Sequence, residues 1–209
     1  MRPVLVEELR VGWLAPALIS LGLVVGGLRL HHAPGIFSQS KSSSLVITSM
    51  AVILGLAMGI RRVLRERQAP DFLASRPLSA RSVLAAKLTA SLADIALLLP
   101  GLVVFCGAFF PNDLAFLDFD TGSATAVCLA AGAALVGVSI RWTIASPWIS
   151  GTACAAFGFF AAYSASHYSH GWHWSRPRFF HGSGSAGLDV CLVVVVLSVA
   201  MAFTRGRAR

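Results

Sequence analysis

The chain has 209 residues, 56% of them hydrophobic and only 12% charged, with a mean hydropathy of +0.74. Soluble domains carry about 25% charged residues, so this composition excludes a water-soluble globular fold and describes a polytopic membrane protein. The net charge of +8 does not mark a nucleic-acid binder, because the basic residues stand at the ends of apolar runs and not on one face.

Residues 1–10, MRPVLVEELR, set Val4, Val6 and Leu9 among Arg2, Glu7, Glu8 and Arg10, the pattern of a short interfacial helix. The apolar run that follows is too long for the core of a secretory signal and has acids where a basic start is required, so it reads as a first transmembrane span, about 12–30. Gly22 and Gly26 form a small-xxx-small pair that would admit a close helix neighbour. A polar connector, 31–43, leads to a second span at about 44–60 with a second such pair, Gly55 and Gly59. This helix is expected to run on through the arginines to about residue 67.

Residues 61–82 form a cytoplasmic elbow. They hold Arg61, Arg62, Arg65, Arg67, Arg76 and Arg81 together with Glu66 and Asp71, and Lys87 follows just beyond. Pro70 stops a helix or starts a new one, Pro77 biases Arg76 away from helical geometry, and Ser79 is a natural N-cap for the next helix. The predicted shape is helix, break, short helix, break, helix, with the apolar knob Phe72-Leu73 presented amid charge. Glu66 is placed to pair with Arg62 one turn earlier.

The third span, about 83–105, contains Asp94 and Pro100, and its exit is the acidic connector 111–121. A fourth span at about 123–140 ends in Arg141-Trp142, read as a basic and aromatic interfacial pair. A fifth, about 147–165, opens on proline. The stretch 166–184, dense in His, Trp and Phe, reads as an extracytoplasmic loop in the aromatic belt. The sixth span, about 185–203, ends in Arg205, Arg207 and Arg209.

The fold class is therefore all-α with six transmembrane helices and a short cytoplasmic coupling helix between spans two and three. With the termini inside, the inner side holds Arg2, Arg10, the elbow cations, Arg141 and the basic tail, against Arg29, Lys41, Arg176 and Arg178 outside. The positive-inside rule favours that orientation, N-in and C-in.

The Glu8-Leu9-Arg10 start, the six spans, and a connector carrying Glu66, Phe72-Leu73, Arg76-Pro77-Leu78-Ser79, Arg81 and Lys87 together resemble the permease subunits of ATP-binding cassette type 2 exporters. Ala80 separates Ser79 from Arg81, which are adjacent in many members. The resemblance implies an alternating-access exporter in the cell membrane, here the bacterial inner membrane. It implies two paired permeases, a second copy or a relative, each docked on an ATPase subunit through Glu66, Asp71, Phe72, Leu73, Arg76, Pro77, Ser79, Arg81 and Lys87. ATP and Mg would be bound by that partner, since no G-x-x-x-x-G-K-[ST] phosphate loop occurs in this chain. The chain itself would be no enzyme and carry no cofactor. The rival classes are a structural or regulatory membrane subunit that transports nothing, and an intramembrane hydrolase.

Other groups could carry chemistry. Asp94 lies inside a span, where a carboxylate costs roughly 2.5–3.5 kcal/mol and must face protein or a wet cavity. It is either a substrate-path residue or a helix-to-helix hydrogen-bonding group. His167, His170 and His173 recur at a spacing that could bind a metal, or act as polar filler in an interfacial loop. Cys106, Cys128, Cys154 and Cys191 all lie in apolar runs without ligand spacing and read as packing residues. The near-uniformly apolar spans fit a lipid, peptide or amphipathic cargo.

Overall fold

In hydrocarbon every backbone N–H and C=O must be satisfied within the chain, which makes the helix the solution for an uninterrupted apolar run. The computed structural model describes residues 6, 9, 12–31, 42–68, 79–107, 121–170 and 185–205, and among these the protein is all-helical, without strands. Its helices are α1 (Leu14–His31), α2 (Ser42–Gln68), α3 (Ala80–Gly107), α4 (Thr121–Thr143), α5 (Pro147–His170) and α6 (Ser185–Arg205).

Among the described residues four helices are long and apolar enough to cross a bilayer, through Ile47–Leu64, Ala80–Phe105, Ala126–Thr143 and Gly187–Arg205, which makes this a multi-pass membrane protein. The apolar part of α1, Leu14–Arg29, is shorter, and α5 is diluted by Ser, Thr and His. The 27 residues of α2 extend about 40 Å at 1.5 Å per residue, against about 30 Å of hydrocarbon. The helix is therefore longer than the hydrocarbon, with residues on both sides of its apolar stretch Ile47–Leu64.

Helix α4 is the hub, packing against α2, α3, α5 and α6, while α1 lies chiefly on α3. The α2–α4 contact is built by small residues. A Cβ at Gly55 would run into the Ala130 carbonyl, and one at Gly59 into the Ala134 carbonyl. Successive contacts advance along both helices, so α2 and α4 run parallel. The α1–α3 contact is made the same way, with Gly101 against the Ser20 backbone and Gly27 against Val104 and Phe105. Without a hydrophobic force between helices in lipid, such close approach is what van der Waals association requires.

An apolar cluster of Val63, Val83, Leu84, Leu88, Val138, Trp142 and Ala202 joins the C-terminal ends of α2, α4 and α6 to the start of α3. Gly12, just before α1, lies against the Arg62 guanidinium. One end of the bundle thus gathers Arg61, Arg62, Arg81, Lys87, Arg141 and Arg205, while Arg29 and Asp189 belong to helix ends on the opposite side.

Several expectations need correction. Gly22 and Gly26 have open space where a Cβ would stand; the close contact of α1 uses Gly27, one residue round the helix. Residues 166–170 belong to α5 and not to a loop, so His167 and His170 sit on helical backbone. Arg141 and Trp142 are buried, the arginine reaching forward to the carbonyls that follow its helix and the tryptophan packing in the apolar cluster with Val63 and Val83. Arg141 Nη1 donates to the Ala145 carbonyl at 2.8 Å and lies 3.3 Å from both the Ile144 carbonyl and Ser150 Oγ, stitching α4 to α5.

Candidate functional site

Side chains on a helix lean toward its N-terminus, so Arg62, near the C-terminal end of α2, is aimed away from the elbow and into the bundle. There it meets Asp94 of α3. Nε donates to Oδ2 at 2.7 Å and Nη2 to Oδ1 at 2.5 Å, a bidentate fork with relative exposures of 2% for Arg62 and 1% for Asp94. The planar fork matches a carboxylate and gives the pair direction as well as strength.

Lys87 stands two turns before Asp94 on α3, level with the backbone of Arg62. It is fully buried, and its Nζ donates to the Arg62 carbonyl at 2.8 Å. The segment leading into α1 closes the group: Gly12 leaves no Cβ in the space filled by the guanidinium, and Arg61 Nη1 reaches the Gly12 carbonyl at 3.5 Å. The node of Arg62, Asp94 and Lys87 therefore ties together α2, α3 and the start of α1. Both Asp94 oxygens accept from Arg62, so the arrangement serves as an electrostatic joint; it does not leave the carboxylate open as a general base.

Two turns above Lys87, Ser79 caps α3. The Ser82 N–H donates to Ser79 Oγ at 3.2 Å, and the two hydroxyls lie 2.8 Å apart. Ser79 and Arg81 are exposed, at the rim from which the elbow leaves. The structure thus separates the proposed docking residues. Lys87 is corrected from a docking residue to a buried one, because its ammonium finds a backbone acceptor inside the bundle. Glu66 lies on the helical backbone of α2. Asp71, Phe72, Leu73, Arg76 and Pro77 lie outside the described residues, as do most of the interfacial helix at 1–10, His173 and the rest of the His-rich stretch from 171 to 184.

The comparisons with known proteins add nothing to this geometry. No family model, curated protein or solved structure matches the chain.

Asp94 was legible as a residue in need of a partner, but its partner was not. Arg62 reads in sequence as elbow, and Asp94 as lacking an ionisable neighbour at its depth. The missing signal was which way the Arg62 side chain points. Among the described residues no group of three His, Cys, Asp or Glu side chains is placed to hold a metal.

Proposed function

We propose that this chain is the permease subunit of an ATP-driven exporter of the ATP-binding cassette type 2 kind, docked on a separate ATPase through the elbow at residues 61–82. The observation that carries the reading is the charge node. The elbow hangs between α2 and α3, and just inside it those helices are joined by the Arg62–Asp94 fork and the Lys87 bond to the Arg62 carbonyl. A push on a hairpin loosely joined at its base would be absorbed by the hairpin. Joined as it is, the hairpin would pass the displacement to α1 and the rest of the bundle.

In this reading all six helices cross the membrane, and the end that gathers Arg61, Arg62, Arg81, Lys87, Arg141 and Arg205 faces the cytoplasm, as the positive-inside rule favours. Glu66 and the Phe72-Leu73 knob would contact the motor, which binds ATP and Mg. A second permease, a copy or a relative, would complete the cavity, and ATP-driven closure of the motor would switch its access in the cell membrane. Short external connectors argue against a large extracellular receptor domain.

The test is co-purification from native membranes followed by reconstitution. An ATPase is expected to accompany the chain and to be stimulated by it. Glu66→Ala and Phe72→Ala should insert normally and lose that stimulation. Unchanged stimulation in both variants would remove the docking claim, and a chain that purifies without an ATPase would point to a non-transporting membrane subunit.

A further inference from the structure

Helix contacts in this bundle are of two physical kinds. Within α1/α3 and within α2/α4, backbone lies against backbone. A Cβ at Gly101 would stand 2.6 Å from the Ser20 carbonyl oxygen, one at Gly27 3.0 Å from that of Val104, and one at Gly137 2.9 Å from that of Leu56. The Gly101 N–H also donates to Ser20 Oγ at 3.1 Å. Sliding one helix of such a pair drives a carbonyl into the next side chain along, so each pair is stiff.

Between the pairs most of the contact is made by apolar side chains, with the Lys87 bond to the Arg62 carbonyl and the Gly12 contacts of Arg61 and Arg62 at one end. Ala51 and Met58 of α2 and Ala126, Ala130 and Ala134 of α4 meet Ile95, Leu98 and Leu102 of α3. Dispersion contacts of this kind have no preferred direction, and packed helices slide over them in shear motions of a few ångströms. The elbow joins α2 of one pair to α3 of the other. Across that same division runs the bidentate Arg62–Asp94 pair, whose geometry fixes one register.

We propose that the boundary between the α1/α3 and α2/α4 pairs is a shear plane, and that Arg62–Asp94 is the latch that holds it in the register seen here. A buried ion pair is weak evidence of stabilisation, since apolar residues of similar volume often serve as well. Register selection is the better attested use, and ionisable groups in spans are typically functional. The inference concerns the bundle itself and stands whichever partner takes the elbow.

The experiment is distance measurement by pulsed electron resonance on the full chain in lipid nanodiscs, with the other cysteines replaced by alanine. One label pair crosses the plane, on Leu21→Cys in α1 and the native Cys128 in α4; another lies within one unit, on Leu18→Cys in α1 and Leu92→Cys in α3, all exposed positions. In Arg62→Gln, Asp94→Asn and the double variant, the distance across the plane should shift or broaden by roughly 1–5 Å while the distance within the α1/α3 unit stays as in the native chain. Unchanged distances across the plane in a folded variant would overturn the proposal, as would both distances changing together. Failure of all three variants to insert as helical protein would also overturn it, by showing that the pair is needed for the fold itself.

Discussion

A guanidinium with two N–H groups on one carboxylate, sealed from water, is tolerable only as a pair. Removing either partner strands a charge at membrane depth. Arg62→Ala or Asp94→Ala should therefore cost about 3–5 kcal/mol, whereas Arg62→Met with Asp94→Leu should be neutral or up to about 4 kcal/mol more stable. Unfolding in mild detergent measures both, and equal losses in the single and double variants would contradict the account. Ser79 makes a smaller claim: Ser79→Ala should lose about 1 kcal/mol, the usual worth of an N-cap, in the same measurement. The cap was legible from residue type and the proline before it. The ion pair was not, because Arg62 and Asp94 face each other across a connector whose sequence does not fix how far the chain advances between them.

At the scale of the helix, two identical small-xxx-small pairs behave differently. Gly55 and Gly59 leave no room for a methyl group against Ala130 and Ala134, while Gly22 and Gly26 face open space. Gly55→Ala or Gly59→Ala should force α2 from α4 and cost about 1–3 kcal/mol, the usual range for overpacking. Gly22→Ala and Gly26→Ala should stay within about 0.5 kcal/mol of the native chain. Similar losses at all four would contradict the packing described. Spacing alone identifies the helix face that could admit a neighbour; which helix takes it depends on the assembled bundle. Helix existence was readable from apolar run length for the same reason that ends were not: α5 continues to His170 through Tyr, Ser and His, residues that carry no apolar signal yet keep the backbone hydrogen-bonded.

For the whole molecule, composition already determines the class, since so few charges on so apolar a chain leave only a membrane as solvent. The assembled bundle adds that basic residues distant in sequence, from Arg61 to Arg205, share one end, and that this end holds the base of the elbow and the charge node beneath it. In the proposed function, a nucleotide-hydrolysing partner acts at that end. Site-specific photo-crosslinking from position 72, with a photoreactive amino acid in place of Phe72 in native membranes, tests this most directly. The predicted product is a covalent adduct with an ATP-binding subunit, identified by mass spectrometry through its phosphate-loop peptide. Crosslinks to lipid alone, or to proteins of the outer side, would contradict it.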